Sequence, residues 1–289
     1  MNHDSLDEFL KAATPALAKA PGALVFAEDG VEIRSTLEHA LARGFGTVAL
    51  LADRSIPVPQ DLAPRVHHVP WDIHRDSALT TAVNRVIGAA PGAWLHYCYN
   101  AEYLFFPFCE TRTIRDLTTF QAEERRDTVL TYVIDLYAGD LDRHPDAVSL
   151  TDALLDRLGY YALGRGDPAK GWAPKERQMD FFGGLRWRFE EHVPWTRRRI
   201  DRVSLFRAQP GLVLRDDHTF NIEEYNTYAC PWHNNITAAV CSFRTAKALR
   251  TNPGSRFDIH SFRWSNSVPF RWHSQQLMDL GLMEPGQWF

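Results

Sequence analysis

The strongest constraint on this chain is a rhythm near its start. Short apolar runs alternate with stretches whose apolar residues recur every three or four positions. The runs are "ALVFAEDG" (23–30), "FGTVALLADRS" (45–55), "VHHVPW" (66–71) and "AWLHYCYNAEYL" (93–104). Between them lie "VEIRSTLEHALARG" (31–44), with Gly44 as a stop, and "SALTTAVNRVIGAA" (77–90), with Ser77 as an N-cap. An earlier helix over 4–20 places Leu6, Phe9, Leu10 and Leu17 on one stripe and ends at Pro21-Gly22. The order β-α-β-β-α-β predicts an α/β fold with a largely parallel sheet covered by helices. Sheets of that kind bind ligands beyond the carboxyl ends of their strands. Three of these runs end in polar groups there: Glu28, Asp53, and the pair Asn100 and Glu102.

The later sequence continues the alternation less regularly. A helix is expected over 113–127 and a strong strand over 128–140, then a short helix over 151–162. "GRGDPAKG" (164–171) lacks phosphate-loop spacing and is expected to be a surface loop. "RVSLFRA" (202–208) and "GLVLRDDHTF" (211–220) are expected to pair as a hairpin, and "ITAAVCSFRTAKALR" (236–250) to be helical. Residues 251–289 look irregular and aromatic-rich. Without a repeat or a flexible linker, one domain over 1–250 is expected, its halves about 20–110 and 111–250, with 251–289 as a C-terminal extension packed on it.

Bulk properties narrow the function classes. The 289 residues are 45% hydrophobic and 24% charged, ordinary for a globular protein, and the net charge of -4 gives no reason to expect nucleic acid. Cys98, Cys109, Cys230 and Cys241 fit no C-x-x-C pattern. No signal peptide and no membrane-length apolar run are visible, so free thiols in a reducing cytoplasm are expected.

No nucleophile-elbow, P-loop, kinase or H-E-x-x-H motif occurs. Two strand-end carboxylates could hold Mg²⁺ or Mn²⁺ against a diphosphate, because hard cations take oxygen ligands. His218 or His233 could complete such a site, or each could make a structural hydrogen bond. In "FFGGLRWRF" (181–189), Gly183-Gly184 allow either a tight turn or close approach to a ligand. Arg186 and Arg188 then face either a phosphate or solvent.

Taken in order, "ED" after the first strand, "AD" after the second, "NRVIGAAPGAW" (84–94), "YVIDLY", "FFGGLRWRF" and "DDHTF" resemble the family-2-like glycosyltransferases of bacteria. The resemblance runs from about Ala23 to Asn235. It implies the A-type glycosyltransferase fold, a mixed, mostly parallel sheet flanked by helices. It also implies a nucleotide-sugar donor linked to UDP or GDP, a glycan or other hydroxyl acceptor, and a possible homodimer. Glu28 and Asp53 match positions that contact the nucleoside. Asn84, Asn100, Arg186 and Arg188 fall in segments on the donor side. The family's Asp-x-Asp-Glu motif, which holds Mn²⁺ or Mg²⁺, aligns with Tyr99-Asn100-Ala101-Glu102. Both aspartates are replaced, which leaves Glu102, with His218, as the metal residues. A metal-independent transfer would neutralise the diphosphate with Arg186 or Arg188. The candidates for a general base are Asp135, Asp180 and Asp217. The alternative implied by the lost aspartates is a catalytically inactive binding or assembly protein.

Overall fold

A computed structural model describes residues 1–228 and 235–288, so His233 and Cys230 lie outside the described residues. The chain is α/β and divides into two compact units. The first comprises Met1–Leu104, Phe108–Leu130 and Val203–Asn226. The second comprises Phe105–Pro107, Thr131–Arg202 and the described residues from Thr227 onward.

The first unit is built as the rhythm predicts. Helix α1 (Leu6–Leu17) is capped by Ser5 and buries Leu6, Phe9, Leu10, Ala13 and Leu17. Strand β1 (Gly22–Phe26), helix α2 (Ile33–Ala42) and strands β2 (Thr47–Ala52) and β3 (Val66–Pro70) follow, then α3 (Ala78–Ala89) and β4 (Trp94–Tyr99). β1 and β2 are buried at every position, as apolar runs in a covered parallel sheet must be. The order β4-β1-β2-β3 is parallel throughout, and the Leu205–Arg207 end of β10 (Asp201–Arg207) adds antiparallel to β4. Helix α1 packs on β2, β3 and α3, and α2 packs on β1 and β2. From β1 the chain moves one way to β2 and β3, and β4 lies on the other side. The crevice between β1 and β4 is therefore the topological switch point, where such sheets take ligands. Helix α4 (Ile114–Glu123) starts with a capping box, in which Thr113 and Asp116 satisfy each other's backbone N–H groups.

Expectations about Ser77 and the run 93–104 change in this unit. Ser77 sits at the N-cap of α3 but in a left-handed conformation, and its hydroxyl donates to Asp216 Oδ2 at 2.7 Å instead of capping the helix. The run 93–104 is not one strand. β4 stops at Tyr99, Asn100 and Ala101 form a turn with Ala101 at φ 57°, and β5 (Glu102–Phe105) begins afresh. Asn100 and Glu102 thus do not share a face of an alternating strand.

The second unit holds most of the misread elements. After β6 (Thr128–Ala138), residues 153–156 form strand β7 (Ala153–Asp156), antiparallel to β6, where a helix was expected. A four-residue apolar run does not distinguish a buried strand from a helical turn. The glycine-rich 164–171 segment lies in the hairpin of β8 (Tyr161–Asp167) and β9 (Ala173–Phe182). α5 (Leu185–Arg188) follows. The expected helix over 236–250 splits into a wholly buried strand β11 (Thr237–Ser242) and helix α6 (Arg244–Thr251). The C-terminal segment forms β12 (Ser267–Pro269), antiparallel to β7, and α7 (Ser274–Asp279). Back in the first unit, 211–220 is not a hairpin arm. Among the described residues its only ladder is an isolated bridge between Leu214 and Phe220. Cys98, Cys109 and Cys241 are buried. Among the described residues no helix is long and apolar enough to cross a membrane.

One histidine makes the first unit sensitive to acid. His39 of α2 donates from Nε2 to Leu104 O at 2.7 Å, and burial lowers its pKa from 6.5 to about 4. The unfolded chain takes up this proton near pH 6.5 while the folded chain refuses it. The histidine's contribution is therefore complete above pH 6.5 and is lost as the pH falls towards 4. The limiting slope is about 1.4 kcal/mol per pH unit. His67, lowered to about 4 mainly by burial, adds in the same direction, reduced by its exposure. His39→Gln keeps a donor for Leu104 and should flatten this slope in urea melts between pH 6.5 and 4. An unchanged slope would refute the assignment.

Candidate functional site

At the switch point, one side chain joins the ends of β1 and β4. Asn100, fully buried, accepts from the Glu28 backbone N–H at 3.0 Å through Oδ1. Its Nδ2 donates to Asp29 Oδ1 at 2.7 Å and to Val31 O at 2.9 Å. Its own N–H continues the ladder to Phe26 O at 2.9 Å. The acidic turn after β1 is thus fixed by an amide at the end of β4, and Asp29 also accepts from Val31 N at 3.0 Å. Glu102 is turned inward as well. It is 2% exposed, and Oε2 accepts from Tyr99 N at 2.8 Å. Ala101 N donates to Thr36 Oγ1 at 2.9 Å, which ties the turn to α2.

The neighbouring candidates occupy the same unit. Glu28 is half-buried beside Asn100. Asp53 is exposed past the end of β2, where Ser55 N donates to Oδ1 at 2.9 Å and hydrogen bonding to Ser55 lowers its pKa. It borders a hollow of about 530 Å³ shared with Asp4, Trp71, Arg75 and Arg85, and the Arg75 guanidinium lies 4.3 Å from the Trp71 ring centre. This hollow is at the ends of β2 and β3, not at the β1–β4 crevice. Asn84 clamps chain instead of facing open space: Nδ2 donates to Leu214 O at 2.9 Å and Oδ1 accepts from Leu214 N at 2.7 Å. That clamp, with Asp216 accepting from Ser77 and Thr80, holds the segment that carries Asp217 and His218. His218 has a left-handed backbone, φ 62°, and stacks on Tyr97 of β4 with ring centres 5.8 Å apart. Its Nδ1 shares a hydrogen bond with the Tyr97 hydroxyl at 3.1 Å. A non-glycine residue in that conformation is held there by its surroundings. Asp217 is exposed, and Oδ1 accepts from Thr219 N and Thr219 Oγ1.

The second unit gathers the other candidates into its interior. Asp135 of β6 is 2% exposed, and Oδ2 accepts from Leu185 N at 3.0 Å. Gly184, at φ 63°, has to be glycine there, because a Cβ would lie 2.8 Å from Asp135 Oδ2. Burial raises the Asp135 pKa, and Arg186, with Nε 3.8 Å from Oδ1, opposes that shift. Arg186 also donates to Thr245 Oγ1 and to Arg199 O. Arg188 donates to both oxygens of Asp156, at 3.1 and 3.2 Å, and to Phe262 O at 2.7 Å. Its guanidinium lies 4.7 Å from the Trp264 ring centre. The segment 186–188 is therefore not a solvated basic face. Asp180 pairs with Arg165 at 2.7 Å and Arg199 at 3.2 Å, and both arginines also hold Asp201.

These geometries decide what a cation would find. Asn100 spends its amide on the 28–31 turn, Glu102 binds a backbone N–H, and His218 binds Tyr97. Among the described residues no three His, Cys, Asp or Glu side chains are grouped to hold a metal. Asn100, Glu102 and His218 as held here do not together fit a divalent ion. Sequence reasoning passed over Asp29, Asp156, Asp201, Asp216 and Tyr97. Asp29 was visible beside Glu28. Asp156 was hidden by reading β7 as a helix.

The clamp has a direct test. Asn100→Asp removes the donors to Asp29 and Val31 and sets a second carboxylate beside Asp29. The expected cost is about 2–4 kcal/mol in urea unfolding at pH 7, since each buried unpaired group costs about 1–3 kcal/mol. A loss under about 0.5 kcal/mol, typical of a surface change, would show that the amide holds nothing. Comparison with protein-family models and with curated proteins finds no match for this chain.

Proposed function

We propose that this chain is a glycosyltransferase-like protein of the A-type fold. In this reading it takes a UDP- or GDP-linked sugar at the carboxyl edge of β1, β2 and β4 and does so without a metal at the Asp-x-Asp position. The observation that carries the reading is the acidic Glu28–Asp29 turn, held rigid across the β1–β4 switch point by Asn100. A fixed carboxylate and fixed backbone groups at that place suit the hydroxyls and the base edge of a nucleoside. Of the three candidate bases, Asp217 is the exposed one, beside the strained His218. Asp135 is buried with a raised pKa, and Asp180 is held by two arginines. We therefore assign the acceptor proton to Asp217.

A second reading, a non-catalytic nucleotide- or sugar-binding protein, is favoured by one specific observation. Glu102, the one acid kept in the Asp-x-Asp-Glu segment, and its neighbour Asn100 spend their side chains on the fold itself.

Calorimetric titration with UDP and GDP, first with Mn²⁺ and then with EDTA, is the primary test. Binding that survives EDTA is expected. Binding that needs Mn²⁺ would overturn the metal-free part, and no binding to either nucleotide would sink the donor site. Asp217→Asn should then keep nucleotide affinity and abolish sugar transfer. A chain that binds nucleotide, transfers nothing and is unchanged by this substitution is the non-catalytic protein.

A further inference from the structure

The second unit contains a cavity of about 470 Å³, within the range of ligand pockets, roughly 300–1,000 Å³. Its composition is lopsided. Tyr132, Tyr160, Tyr161, Phe181, Phe182 and Tyr228 supply the aromatic part. Asn235, Thr237 and Glu284 supply polar groups. Thr237 and Glu284 are tied together: Glu284 N donates to Thr237 Oγ1 at 2.9 Å, and Thr237 N donates to Glu284 O at 3.0 Å. The rings brace one another. Tyr161 stacks on Phe182 at 5.2 Å, and Phe181 sits 4.8 Å from Tyr132 and 5.9 Å from Tyr228. Tyr161 and Tyr228 remain 43% and 37% exposed, so ligand can reach them. Rings already held in place lose little freedom when a ligand arrives.

We propose that this cavity binds a neutral pyranose. A sugar ring is itself two-sided, with C–H groups on its faces and hydroxyls around its rim. The C–H groups carry partial positive charge and meet the negative faces of aromatic rings. The hydroxyls bond to an amide and a carboxylate such as Asn235 and Glu284. Other ligand classes fit worse. The charged side chain in the lining is a carboxylate, which repels phosphate, and Arg165 and Arg199 of this unit are committed to Asp180 and Asp201. The space is far wider than a cage closed around a single ammonium group. As an acceptor subsite the cavity rests on the transferase reading above; as a sugar site it stands without it.

The test is saturation-transfer NMR on the full chain, with methyl β-D-glucopyranoside, methyl α-D-mannopyranoside and N-acetylglucosamine. Choline and phenyl phosphate serve as competing probes. Saturation of the ring C–H protons of at least one pyranose is expected. Tyr161→Ala and Tyr228→Ala should each weaken that pyranose by about three- to tenfold, the range for one aromatic contact. Tyr228→Phe should retain binding, and Trp172→Ala, 72% exposed at the hairpin tip, should leave it unchanged. Circular dichroism checks the fold, and Tyr228→Leu, which keeps bulk without a ring, replaces any alanine variant that unfolds. Saturation of none of the three sugars, equal saturation in the ring-deleted variants, or preferential binding of choline or phenyl phosphate would overturn the proposal. A parallel UDP titration separates the two readings. UDP bound without a pyranose sinks this proposal alone, and a pyranose bound without UDP sinks the donor site alone.

Discussion

The amide of Asn100 is the interaction on which the β1–β4 edge of the first unit depends. The turn after β1 presents to β4 a backbone N–H from Glu28, a carboxylate from Asp29 and a carbonyl from Val31. An acceptor is needed for the first and donors for the other two. A primary amide offers both, whereas a carboxylate offers only acceptors. The acidic turn and the amide that faces it are thus one structural feature. With Asn100 in place, the end of β1 and the end of β4 are a single rigid corner.

The parallel sheet was legible because its strands are buried on both faces, and such strands read as unbroken apolar runs between amphipathic helices. Leu24, Val25, Leu50 and Leu51 carry that signal, and all are at most 1% exposed. β7 and β11 were not legible, because "ALLD" is only four residues long and "TAAVCS" runs almost directly into helix α6, so each was read as part of a helix. The break at Asn100–Ala101 was hidden because alanine gives no warning of a left-handed backbone; glycine or asparagine usually marks one. The candidate carboxylates could be picked out, but their partners could not. That Arg188 reaches Asp156, or Asn84 reaches Leu214, depends on contacts across long stretches of chain.

The second unit manages charge by pairing it internally. Arg188 answers Asp156, Arg186 leans on Asp135, and Arg165 and Arg199 share Asp180 and Asp201. Buried pairs of this kind add little net stability over apolar residues, yet removing one partner strands the other at a cost of about 3–5 kcal/mol. Their effect is to fix position. Arg165 lies on β8, Asp180 on β9 and Asp201 at the start of β10, so the quartet registers the hairpin against the next strand. Tyr161, Phe181 and Phe182 project from that hairpin, and the aromatic cavity inherits its rigidity.

Ala101 limits what can replace it. It is fully buried, with a left-handed backbone, and its N–H is committed to Thr36. A larger or charged side chain at this position would have to fit a fully buried site with a left-handed backbone. Replacing Asn100 as well would unfasten the acidic turn. Changes at either position therefore act on the stability of this corner first. The turn is thus held in its present form by its own packing and hydrogen bonds.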